Sequence, residues 1–113
     1  MVEGAHIDHE AHNNKAPLTQ EALDFDKAVE VAIKFAEKDG HTLVIISADH
    51  ETGGVVLRKA NYEENSVQMS FSTRGHSPMP VPLFAYGPSS DKFGCVQENS
   101  DVSNKIRQIL IGK

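Results

Sequence analysis

The chain has 113 residues, enough for one small domain with a modest core, and its 39% hydrophobic and 24% charged residues are those of an ordinary globular protein. A net charge of −5, with no run of Lys or Arg to offset it, excludes a nucleic-acid surface as the leading reading. No stretch approaches the roughly 18 apolar residues of a membrane span, and Met1-Val2-Glu3-Gly4 has none of the features of a signal peptide.

Residues 1–17 are rich in His, Asp, Glu and Asn and read as a loop or short helical turn. From Pro17 to Gly40, Leu18, Ala22, Phe25, Ala28, Val29, Ala32, Phe35 and Ala36 recur at helical spacing and predict a helix with one apolar stripe. Thr19 is a candidate N-cap, and Gly40 sits where helices commonly stop. Thr42 to Ala48 is a continuous apolar, β-branched run, as expected of a strand in a parallel sheet covered on both faces. A helix leading into such a strand predicts an α/β fold. Asp49 and His50 then fall just past the strand's carboxyl end, where open α/β sheets build ligand sites.

Further on, Val55–Leu57 and Val67–Phe71 predict two short strands. Gly75 to Pro82 reads as a proline-rich loop and Val81 to Tyr86 as another strand. A last helix is expected from Asp101, with Val102, Ile106, Ile109 and Leu110 buried. The single Cys95 cannot close an internal disulfide and is compatible with either redox compartment. Three or four strands with two helices leave sheet edges open, so self-association through an edge or an apolar face is expected.

Three segments carry the candidate chemistry. Asp8 and His12 are four apart, so a helical turn would point both the same way, as an oxygen and a nitrogen ligand suited to zinc or as a solvated acidic turn. Asp49-His50 ends a strand as two adjacent polar groups, either as ligands or with Asp49 capping the next turn. His76 lies in a loop between strands, either exposed or a third contribution. Taken together, two divalent sites built from such ligands suit in-line displacement at phosphorus.

Val2-Glu3-Gly4-Ala5-His6-Ile7-Asp8-His9-Glu10-Ala11-His12 resembles the alkaline phosphatase signature, V-E-G followed by I-D and then a His four positions after the Asp. Leu23 to Val29 is similar to the helix that follows in that family, and Thr42 to His50 to its strand ending in A-D-H. Gly75-His76-Ser77, Pro80-Val81-Pro82 and Phe84-Ala85-Tyr86-Gly87-Pro88 resemble its last metal-ligand loop and the strand after it. The resemblance covers nearly the whole chain and makes it a carboxy-terminal metal-ligand segment, part of a three-layer α/β/α sandwich. It implies that Asp8, His12 and His76 hold one zinc, that Asp49 and His50 supply two ligands of a second, and that Glu3 is a magnesium ligand. His9 occupies a position that approaches phosphate or magnesium, often through water; His6 matches no ligand and is left as a surface residue. It further implies a phosphomonoester substrate, a phosphoserine intermediate in an exported parent protein, and a family that is often dimeric.

Departures from the pattern are equally informative. No Asp in the chain is followed by Ser, as the family's nucleophile is, and Arg58, Arg74 and Arg107 match no phosphate clamp. Thr52 stands where some members carry a His outside the ligand set, and Pro78 alters the loop after His76. The chain alone is therefore expected to bind zinc without turning over substrate. Two other readings share some features: a cofactor-independent phosphoglycerate or phosphosugar mutase, which has the A-D-H strand end and a His loop followed by V-P, and a non-catalytic metal-binding module. The V-E-G and F-A-Y-G-P segments favour the phosphatase.

Overall fold

The computed structural model describes residues 1–13 and 17–112. They form a mixed α/β chain whose strands pair as three separate antiparallel two-stranded sheets, and they group into two compact units.

The first unit comprises Met1–Lys27 and His50–Pro80. Helix α1, Ala5–Asn13, takes in most of the segment that reads as a loop or turn; residues 14–16 lie outside the described residues. Helix α2 spans Leu18–Asp39, and Leu18 and Ala11 are buried in this unit. Strand β2, Glu51–Thr52, pairs with β5, His76–Ser77, so that Glu51 faces Ser77 and Thr52 faces His76. The serine hydroxyl also donates to the Glu51 carboxylate, tying the two short strands together by side chains. Between them β3, Val55–Asn61, and β4, Ser66–Phe71, make a hairpin with a register shift at Arg58 that leaves one extra residue on β3. At its turn the Asn61 carboxamide oxygen accepts the amides of Glu63 and Glu64, and Asn65 takes the left-handed conformation that Asn tolerates.

The second unit comprises Ala28–Asp49 and the chain from Val81 onward. Here α2 ends as its spacing predicts: Gly40 adopts φ +69° and its amide donates to Ala36 O at 2.9 Å. The Asp39 carboxylate caps the exit, accepting from the Thr42 hydroxyl at 2.7 Å and the His41 amide at 3.2 Å. Strand β1, Val44–Ser47, then pairs with β6, Leu83–Tyr86. A short 3₁₀ turn, Ser90–Phe93, buries Phe93, and α3 spans Asn99–Ile111.

Four expectations need correction. Among the described residues the neighbour of β1 is antiparallel where a parallel one is expected: an apolar run carries no information about the direction of the next strand. Thr19 lies inside the first turn of α2 rather than at its cap. Asp101 is likewise inside α3, with Glu98 at the cap position and no side-chain capping bond. Phe35 is 62% exposed, and of the α3 residues expected to be buried Val102, Ile106 and Ile109 are only half-buried and Leu110 is 78% exposed. Their stripes are wider than the surface the described residues lay against them.

Candidate metal centre

The site lies within the first unit and draws on three separate segments. One turn of α1 places Asp8 and His12 on the same side, with Asp8 Oδ1 3.3 Å from His12 Nε2. The β2–β5 ladder brings in His76, whose Nε2 is 3.0 Å from His12 Nε2 and 3.5 Å from Asp8 Oδ1. His50, two residues ahead of Thr52, stacks its ring on that of His76 with centroids 3.6 Å apart. Asp8, His50 and His76 each offer one ligand atom, and these three atoms all lie within 4.8 Å of one another.

Backbone geometry decides part of the proton arrangement. His12 Nδ1 is 2.7 Å from the Arg74 carbonyl oxygen, which can only accept, so Nδ1 carries the hydrogen and a neutral ring keeps its lone pair on Nε2. That lone pair faces Asp8 Oδ1 and His76 Nε2. The Asp8 carboxyl is held below its ordinary range, first by the hydroxyl of Thr52, which donates to Oδ1 at 2.6 Å, and then by the nearby His12, His76 and His50; partial burial opposes the shift. A carboxylate ionised at neutral pH and the lone-pair nitrogen of His12 thus converge beside His76 Nε2.

Such a set fits zinc by type and by spacing. Ligands about 2.0–2.1 Å from a tetrahedral ion sit about 3.3 Å from one another, and the separations among Asp8, His12 and His76 are 3.0, 3.3 and 3.5 Å. Calcium or magnesium would favour an all-oxygen set. The remaining sequence candidates are placed differently. Glu3 is exposed in the stretch before α1, and His9 is exposed on α1 with the His6 ring edge-on at 5.7 Å. Asp49 is exposed two residues beyond β1. Neither Glu3 nor Asp49 belongs to the converging group among the described residues. Two contributors are not legible in the sequence as such: the Arg74 carbonyl, because a backbone acceptor leaves no residue signal, and the Thr52 hydroxyl, which the family resemblance marks only as a departure.

A profile of the alkaline phosphatase family matches residues 1–67, more than half of the chain. The chain belongs to the alkaline phosphatase family. It is 30% identical to alkaline phosphatase 4 of Bacillus subtilis in an alignment covering 97% of this chain and 39% of that protein. It is 33% identical to streptomycin-6-phosphate phosphatase of Streptomyces griseus, covering 97% of this chain and 28% of that one. Among solved structures, alkaline phosphatase from the Antarctic bacterium TAB5 superposes with a TM-score of 0.85 and 46% identity over 95% of this chain and 33% of that chain. A variant of the TAB5 enzyme has magnesium bound in its M3 site. This alkaline phosphatase segment therefore spans about two fifths or less of these relatives. The match favours the phosphatase over the mutase alternative. Among the described residues no helix is long and apolar enough to cross a membrane.

Proposed function

We propose that the chain supplies the zinc-ligand segment of an exported, metal-dependent phosphomonoesterase with a three-layer α/β/α sandwich. The observation that carries this reading is the convergence of Asp8 Oδ1, His12 Nε2 and His76 Nε2 at zinc-ligand spacing. On this reading Asp8, His12 and His76 hold a first zinc, His50 and Asp49 contribute to a second, and Glu3 contributes to a magnesium site. Bound there, the ions would polarise phosphoryl oxygens and stabilise charge in an in-line displacement through a phosphoserine.

The chain's own residues do the positioning. Asp8 brings negative charge to the centre, and the Arg74 carbonyl orients the His12 ring by fixing its tautomer. The β2–β5 ladder sets the distance of His76 from α1. His9, exposed on α1, would reach phosphate or magnesium through water. The serine nucleophile is supplied from outside these residues, because no Asp here is followed by Ser.

The test is zinc titration of the chain by competition with a chromophoric chelator, alongside hydrolysis of a chromogenic phosphomonoester. Tight zinc uptake without turnover is expected, since a missing nucleophile typically removes several orders of magnitude of rate. Failure of the chain to take up zinc, or zinc-dependent phosphate release abolished by His12→Ala, would refute the reading.

A further inference from the structure

Three groups meet at the side chain and backbone of Thr52. Its hydroxyl oxygen is 2.6 Å from Asp8 Oδ1 and 3.1 Å from His50 Nδ1. Its backbone lies opposite His76 in the β2–β5 ladder. A hydroxyl has one hydrogen to give, and a carboxylate has none. The hydrogen of Thr52 therefore goes to Asp8, which leaves only lone pairs facing His50. His50 Nδ1 must then be the donor, and in a neutral imidazole that leaves the lone pair on Nε2.

We infer that Thr52 is a positioning residue that couples the two ligand sets of the proposed metal centre, fixing the tautomer of His50 and orienting the Asp8 carboxylate through one hydroxyl. The inference rests on the zinc-site reading, because Asp8 belongs to the first set and His50 to the second. Groups that orient metal ligands typically change affinity by 10–100-fold when removed. Thr52 differs from the usual case in acting on two ligands at once, with opposite hydrogen-bond roles. Its backbone tie to His76 places the third contributing segment under the same residue. A displacement of Thr52 is therefore felt by Asp8, His50 and His76 together.

The experiment compares the full chain with Thr52→Val, which keeps the shape and removes the hydroxyl, and Thr52→Ser, which keeps the hydroxyl. Two readouts are taken at a single pH of about 8. One is zinc affinity by chelator competition; the other is the tautomer of His50 in the metal-free chain, from ¹⁵N shifts of its ring nitrogens. We expect His50 as the Nδ1–H form in the wild type and in Thr52→Ser, and a mixture of forms in Thr52→Val. Zinc affinity should fall about 10–100-fold in Thr52→Val and stay within about threefold in Thr52→Ser. A zinc-binding wild type with Thr52→Val indistinguishable from it overturns the coupling alone. A wild type that takes up no zinc overturns the metal-centre reading and the coupling with it. Should Thr52→Val not fold, the Nε2–H form of His50 in the metal-free wild type still overturns the inference.

Discussion

Replacing Gly53 by Ala should weaken zinc binding without touching a ligand. Gly53 follows β2 at φ +84°, and a Cβ there would lie 2.9 Å from Ala11 O, 3.2 Å from Phe71 Cδ1 and 3.4 Å from Val55 Cγ2. The left-handed backbone alone costs an L-residue about 1–2 kcal/mol. The nearest obstacle is a backbone oxygen of α1, one residue before His12, so relief requires α1 to move away from β2 by a few tenths of an ångström. Metal sites tolerate about 0.2 Å in ligand distance. That movement carries Asp8 and His12 away from His76 and should lower zinc affinity about tenfold or more. The control is Gly40→Ala, at φ +69° with nothing within 4 Å of the new Cβ. It suffers the same backbone strain and should lower the melting temperature by about 4–8 °C while leaving zinc affinity unchanged. Thermal melts and chelator competition on both variants decide the matter. Wild-type zinc affinity in a folded Gly53→Ala, or equal losses in the two variants, would refute the reasoning.

Other outcomes follow from the same geometry. His12→Ala should lower zinc affinity at the first site, read by titration, because of that site's three proposed ligands only Asp8 and His76 remain, with His50 assigned to the second set. The Asp39 carboxyl is held below its ordinary range, first by the Thr42 hydroxyl and then by the His41 amide, with burial opposing. A lowered folded-state value means its contribution is present above the unfolded carboxyl's pKa and is lost as pH falls through the lowered one. Melts of Asp39→Asn against wild type should therefore differ near neutrality and converge in acid; a constant difference would dismiss the linkage. With Phe35, Phe84 and Leu110 exposed, light scattering should show the chain self-associating. Zinc at about 100 times its Kd should stabilise the folded chain by about 2.7 kcal/mol, and a melting temperature indifferent to zinc would show that the site is not preformed.

The helices and the site were legible to different degrees, for physical reasons. Helix α2 follows directly from its 3.6-residue stripe and from Gly40 at its end, both local signals. The pairing of β1 does not, since composition encodes how covered a strand is and not which way its neighbour runs. Asp8 and His12 could be matched by spacing, because a helix makes positions four apart neighbours. The approach of His76 to them depends on a two-residue ladder whose register no local pattern fixes. Only likeness to a family's motif order points to it. The role of Thr52 could not be reached that way, because it stands at a position where the pattern departs.

The separation of the ligands along the chain bears on the order in which the molecule assembles. In the unfolded chain Asp8 and His12 stay within one potential helical turn of each other, but 64 positions separate His12 from His76. Closing a flexible loop of that length costs roughly 4 kcal/mol before any constant term. The β3–β4 hairpin lies inside that loop and shortens it, and hairpins form within microseconds, long before distant segments meet. Helix α1 and the hairpin can thus form early and offer an ion no more than a pair of neighbouring ligands. The full ligand set exists only after the ladder between Thr52 and His76 has closed. In stopped-flow refolding with a zinc indicator, ion capture should therefore trail the backbone signal, which makes metal uptake a clock for the last long-range step of folding rather than a seed for the first.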